Sequence, residues 1–232
     1  MSQPEEEKFE DCDEKVPENA PAHANPNPEE ENKPVAENEE EEPEVQLTEE
    51  EKEEINKKII DSRKEAGELY KAQKYIEALN MYSLLLKDAK RAKLNEQLVI
   101  LYCNQGICFN KLNDKDKALE SFSSALKLND KYAKALANRM LLYNAKGDYI
   151  EAYDDFKRLK EIDQKLFSNY AHMEGELCAK AEVKKKEMTD EMLGKLKEMG
   201  NSILGNFGIS LDNFKMIPNG QGGYSIQYNN QK

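Results

Sequence analysis

Apolar residues recur at gaps of three and four along most of the chain, and residues 44 to 217 contain no proline to interrupt them. That spacing gathers apolar side chains on one face of a helix, so the pattern predicts a nearly continuous succession of helices. The first begins at Thr48, where Thr48-x-x-Glu51 has the form of a reciprocal cap, and its stripe is Ile55, Ile59, Ala66 and Leu69. The segment YIEALNMY at 75–82 returns as YIEAYDDF at 149–156, with a looser copy, KDKALESF, at 115–122. Aligned on Ala78, Ala118 and Ala152, the copies lie 40 and 34 residues apart. Each alanine is followed four residues later by a ring: Tyr82, Phe122 or Phe156.

Each copy reads as the second member of an antiparallel helix pair: 49–72 with 75–92, 96–111 with 115–128, and 131–146 with 149–162. The alanine lets paired helices approach closely, and the ring one turn on fills the space toward the next pair. No single pair covers its own apolar face, so the small-then-large pattern is needed at every stacking step. The six extra residues in the first interval are expected to lengthen the helices around RAKLNEQL. Beyond the third copy, Leu166, Tyr170, Met173 and Leu177 predict a capping helix. The basic run KKKE at 184–187 then separates it from a second amphipathic helix marked by Met192, Leu196, Met199 and Ile203. The pattern leaves open whether these two helices pack within one molecule or across a dimer. Near the end, alternating runs around Phe214–Ile217 and Tyr224–Tyr228 flank PNGQGG, which predicts a small hairpin docked on the helices.

The A-x3-aromatic spacing in three copies, with Tyr102, Gly106 and Phe109 ahead of the second, resembles a tetratricopeptide repeat array. The proline that usually closes such a repeat is replaced by Lys90, Asp130 and Gln164. The ending MLGKLKEMGNSILGNFGISLDNF followed by GGYSIQY is similar to the tetratricopeptide repeat protein 1 family. The resemblance implies an all-α superhelical array of three tetratricopeptide-type helix pairs with C-terminal capping helices and a short hairpin-like segment. The expected divisions are an arm at 1–47, repeats at 48–164, capping and amphipathic helices at 165–204, and a Gly-rich docked tail at 205–232. It also implies a non-enzymatic adaptor that binds peptide segments of partner proteins in the concave groove, with heat-shock chaperones and signalling GTPases as the partner classes.

Charge divides the chain sharply. Residues 1–47 hold 17 Asp or Glu against three Lys, a net of −14, so the formal −12 of the whole leaves +2 for the remainder. With one aromatic residue, Phe9, this arm cannot bury enough apolar surface to offset chain entropy and is expected to be disordered. The near-neutral body lacks the basic excess of a nucleic-acid binder. No apolar run is long enough for a membrane span, and MSQPEEEKFE is unlike a signal segment. Cys12, Cys103, Cys108 and Cys178 show no metal-ligand spacing, which suits a reducing compartment and a cytoplasmic location. His23 and His172 join no catalytic set, so neither an enzyme nor a cofactor is expected.

Co-chaperones with this repeat hold the acidic C-terminal peptide of a heat-shock chaperone with a carboxylate clamp. It uses Lys and Asn from the first repeat, Asn from the second, and Lys and Arg from the third. Carried over by resemblance, the first lysine falls on Arg63 or Lys64, the first asparagine position on Gly67 or Glu68, and the second asparagine on Asn104. The third-repeat lysine falls on Lys134, and the final arginine position on Asn138 with Arg139 next to it. The peptide-binding candidates are therefore Arg63, Lys64, Asn104, Lys134, Asn138 and Arg139, and the clamp they form is partial. Arg63, Lys64, Lys134 and Arg139 would also be the cations onto which the acidic arm could fold back.

Overall fold

The computed structural model describes residues 47–206, 209–218 and 224–228. The acidic arm through residue 46 lies outside them, as do the expectations of its disorder and of its folding back; so do residues 207–208, 219–223 and 229–232. Among the described residues the order is α1 (Glu49–Lys71), α2 (Tyr75–Arg91), α3 (Asn95–Lys111), α4 (Lys115–Leu128), α5 (Ala133–Lys146), α6 (Tyr149–Ile162), α7 (Gln164–Ser168) and α8 (Glu174–Gly205). Strands β1 (Phe214–Pro218) and β2 (Tyr224–Tyr228) follow.

Thr48 opens α1 as its sequence dictates. Its Oγ1 accepts the Glu51 N–H at 3.2 Å, and the Glu51 carboxylate accepts the Thr48 N–H at 2.7 Å, closing the reciprocal cap. The connectors after α1, α2, α3 and α5 share one geometry. In the first, the Gln73 N–H donates to the Tyr70 carbonyl and the Lys74 N–H to that of Leu69, the paired bonds of a Schellman ending. The left-handed residue this ending requires is Gln73, Lys93, Asn113 and Gly147 in turn, with φ of 61°, 54°, 63° and 87°. The longer first interval resides in the helices: α2 and α3 have 17 residues each, where α4, α5 and α6 have 14.

The core forms as three clusters, each drawing on at least three helices. Ile59, Tyr82, Leu85 and Leu101 join α1, α2 and α3. Val99, Cys103, Phe122 and Leu136 join α3, α4 and α5. Met140, Phe156, Leu159, Phe167 and Leu177 join α5 and α6 to α7 and α8. Because α3 and α5 each feed two clusters, removing the α3–α4 pair or the α5–α6 pair would open two cores at once. That is the physical content of the repeated small-then-large pattern: Ala78, Ala118, Ala152, Tyr82, Phe122 and Phe156 are all fully buried.

The C-terminal side departs from expectation. The stripe read as one capping helix is divided among α7 (Leu166), a 3-10 turn at Ala171–Met173 with Tyr170 ahead of it, and the start of α8 (Leu177). Nor does KKKE separate two helices, because α8 runs through it as one helix of 32 residues. Lys and Glu are good helix formers and the run contains no Pro or Gly, so nothing in it terminates a helix. Lys184 pairs with Glu187 one turn on, at 3.6 Å.

The hairpin is antiparallel, with Phe214 opposite Tyr228 and Met216 opposite Ile226. What ties this region to the helices is the 3-10 turn Leu211–Asn213 ahead of β1. The Leu211 N–H donates to Asn201 Oδ1 at 2.6 Å, Asp212 pairs with Lys197 at 2.5 Å, and the Leu211 side chain lies over Gly200. A Cβ on Gly200 would come within 2.5 Å of Leu211 Cδ1, so the close approach depends on that glycine.

Candidate functional site

The first helices of the three pairs touch in series, α1 against α3 and α3 against α5, and so form one wall. Positions 12 residues before the repeat alanines are Ala66, Gly106 and Met140. Two residues ahead of each, at one level of successive helices, stand Lys64, Asn104 and Asn138, with Lys134 a turn before Asn138.

These candidates meet different environments. Lys64 is exposed and lies 3.7 Å from Asp61 on its own helix. Asn104 is buried, at 1 % exposure. Lys134 is half-buried, and Asn138, also half-buried, donates its amide to the Lys134 carbonyl at 2.8 Å. Arg63 departs from the expected peptide-contacting role: it is 4 % exposed, and its Nη1 donates to Gln97 Oε1 of α3 at 3.1 Å. Packing α1 on α3 buries that face of α1, and the arginine bonds across the seam.

Arg139 departs further. Its Nε and Nη2 donate to the two carboxylate oxygens of Asp155 in α6, each at 2.8 Å, and its Nη1 donates to Ser123 Oγ of α4 at 3.0 Å. The guanidinium also sits 5.7 Å from the Tyr143 ring centroid. Burial opposes the arginine's charge, but the hydrogen bond and Coulomb attraction of Asp155 outweigh it, and the net effect raises its pKa. This is a structural fork joining three helices. Beside it, Arg158 donates to the Asp130 carbonyl at 2.7 Å.

The fork has a neutral counterpart one repeat earlier. Gln105 of α3 donates to Ser83 Oγ of α2 at 3.1 Å, and its Oε1 lies 3.4 Å from Ser121 Oγ of α4. Ser83 and Ser123 are 40 residues apart, while Gln105 and Arg139, and Ser121 and Asp155, are each 34 apart, the same steps that separate the repeats. Sequence reasoning passed over Gln97, Gln105 and Asp155. Applying the repeat offset to polar positions, as well as to apolar ones, would have linked Gln105 with Arg139.

Six candidates thus reduce to exposed Lys64 with half-buried Lys134 and Asn138, while Asn104 is as buried as Arg63, and Arg63 and Arg139 bond within the scaffold. An ammonium group and side-chain amides suit a peptide's carboxylates and backbone. Among the described residues no three His, Cys, Asp or Glu side chains converge to hold a metal, and no helix is long and apolar enough to cross a membrane.

Residues 99–132 match the Tetratricopeptide repeat family. The human DnaJ homolog subfamily C member 7 is 32% identical over 111 residues, covering 47% of this chain and 22% of that protein. Human Sperm-associated antigen 1 is 27% identical over 103 residues, covering 44% and 11%. The tomato probable UDP-N-acetylglucosamine--peptide N-acetylglucosaminyltransferase SPINDLY is 33% identical over 99 residues, covering 42% and 10%. The chain spans about a fifth or less of the length of the curated relatives it matches. Similar solved structures include the first TPR of Spaghetti (RPAP3) bound to the HSP90 peptide SRMEEVD, with 22% identity, a TM-score of 0.46, and coverage of 53% of this chain and 94% of that one. Another is the Sgt2 TPR domain from Aspergillus fumigatus, with 18% identity, a TM-score of 0.44, and coverage of 60% and 83%.

Proposed function

We propose that this chain is a non-enzymatic, cytoplasmic adaptor that holds an extended segment of a partner protein along the wall of α1, α3 and α5. The reading is supported by the serial contact of those helices and by the accessible Lys64, Lys134 and Asn138 at matching positions of the repeats. Fixed amide and ammonium groups on a preformed wall bind without the cost of assembling a site. The tail resemblance to the tetratricopeptide repeat protein 1 family belongs to the same proposal, with signalling GTPases and chaperones as its partner classes. Displaying a random peptide library to the full chain tests it. Selected peptides should be released by Lys64→Glu or Lys134→Glu, and peptides indifferent to both would refute binding at this wall.

A chaperone tail is the second reading, resting on Lys134 at the third-repeat lysine position of the clamp. A hydrogen bond to a charged group contributes about 1.5–3 kcal/mol. A clamp lacking Arg63 and Arg139 should therefore bind roughly 100-fold or more weakly than a complete one. Calorimetric titration with SRMEEVD should give weak binding that Lys134→Ala lowers about 10-fold or more. An affinity that Lys134→Ala leaves unchanged would rule this reading out while leaving the adaptor intact.

A further inference from the structure

Helix α8 carries one apolar stripe from end to end. Leu177 is buried in the cluster containing Phe156 and Leu159 of α6, and Ala181 is buried one turn later. The stripe continues at gaps of three and four through Met188, Met192, Leu196, Met199 and Ile203, interrupted at Lys185. These five side chains are 50–61 % exposed. At about 100° per residue they fall within an arc of about 80° that includes the direction of Ala181. The face that joins α8 to the array thus runs past the end of the array and stays bare.

We propose that this stripe is a dimer seam, covered in solution by α8 of a second copy of the chain. Continuity with the α6 interface is the first support, since the register that buries Leu177 and Ala181 is the register left open beyond them. Among the described residues the chain's own tail leaves the stripe clear, because Leu211 and Asp212 are tied to Lys197, Gly200 and Asn201 on other sides of the helix. Charge favours a self-complementary partner. Residues 184–205 hold five Lys and four Asp or Glu, so neither a strongly acidic ligand nor an anionic lipid surface is matched, whereas a two-fold pair presents both signs to both. Two such stripes, with the stems of flanking lysines, would bury on the order of 1,200 Å² in total, the lower end for a specific pair. Three of the five are methionines, whose unbranched chains adapt to a facing surface. A dimer of this kind presents two α1–α3–α5 walls on one particle, so a partner with two binding segments would be held by avidity.

Sedimentation equilibrium of the full chain across a micromolar dilution series should show a reversible monomer–dimer equilibrium. The variant M192E/L196E/M199E, altered only at exposed positions, should remain monomeric with its helical circular dichroism unchanged. Lys185→Leu, which completes the stripe, should tighten the dimer about 10-fold. A wild-type chain monomeric at every concentration overturns the proposal, and so does a triple variant that still dimerises or a Lys185→Leu variant that dimerises no more tightly. A chain that remains monomeric yet floats with phosphatidylserine vesicles also overturns it and assigns the stripe to lipid. Should the triple variant lose helical signal, Leu196→Lys and Lys185→Leu decide between the same outcomes.

Discussion

A Cβ placed on Gly106 of α3 would lie 2.6 Å from Cε1 and 2.8 Å from Cδ1 of Phe122 in α4. Phe122 is fully buried in the central cluster, so its ring has nowhere to retreat. Two effects of Gly106→Ala then oppose each other. Removing a helix-interior glycine gains about 0.5–1 kcal/mol, while overpacking a filled core costs about 1–3 kcal/mol. The clash wins, and urea melts should show a loss of about 1–2 kcal/mol. Gly194, with nothing within 4 Å of its Cβ position, is the control: Gly194→Ala should slow amide exchange in the second half of α8 by roughly the gain of about 0.5–1 kcal/mol.

The Arg139–Asp155 fork supports a second test. Removing one partner of a buried pair leaves an uncompensated charge, so Asp155→Ala should cost about 3 kcal/mol. The neutral relay of Ser83, Gln105 and Ser121 shows what the same site tolerates one repeat earlier. The double variant R139Q/D155S copies that chemistry and should recover at least half of the stability lost in Asp155→Ala, as read by denaturant midpoint. A double variant less stable than Asp155→Ala would show that the two relays are not interchangeable.

Thiol chemistry should separate the three described cysteines. Burial pushes the Cys108 thiol up to about 12, so almost none is thiolate at neutral pH, and Cys103 is fully buried as well. Cys178 is half-buried, and its hydrogen bond with Tyr153 is the main cause of that phenol's raised pKa. In a Cys12→Ser background, a maleimide should label Cys178 first. Cys103 and Cys108 should react only at the rate of global unfolding, measured by mass spectrometry against denaturant.

Acid should release the tail before the array. The hydrogen bond from Lys197, followed by its Coulomb attraction, holds the Asp212 carboxyl below its ordinary value. A group with a depressed folded pKa stabilises fully above its unfolded value and loses that contribution as pH falls through the folded one. Backbone NMR signals of residues 211–217 should therefore shift and broaden below about pH 4, while those of α3 and α4 hold. Asp212→Asn should produce the same change at neutral pH.

Much of this architecture was legible because helical periodicity and a repeat offset are local or nearly local signals. The Thr48 cap follows from a few adjacent residues, and the lengthened α2 and α3 follow from the repeat offset. The course of α8 was misread for an equally local reason: KKKE looks like a boundary in charge but is permissive in propensity. The site was less legible. Arg63 and Arg139 read as free cations because Gln97 lies 34 residues from the one and Asp155 lies 16 from the other, and only the stacking of pairs brings them together. Helix periodicity shows which face is apolar, but not which polar side chains on its margin meet across a seam.

Three of the four Schellman connectors place Gln73, Lys93 and Asn113 where glycine would sit without steric objection. A left-handed conformation costs an L-residue about 1–2 kcal/mol, so each of these corners is closed against a local bias to spring open. An isolated two-helix fragment should accordingly be ragged at its bend, becoming sharply turned only when the next layer clamps it. Loss of structure would then spread from layer to layer like an unzipping, so that the whole stack ruptures at one denaturant concentration and its outermost pair has little independent existence.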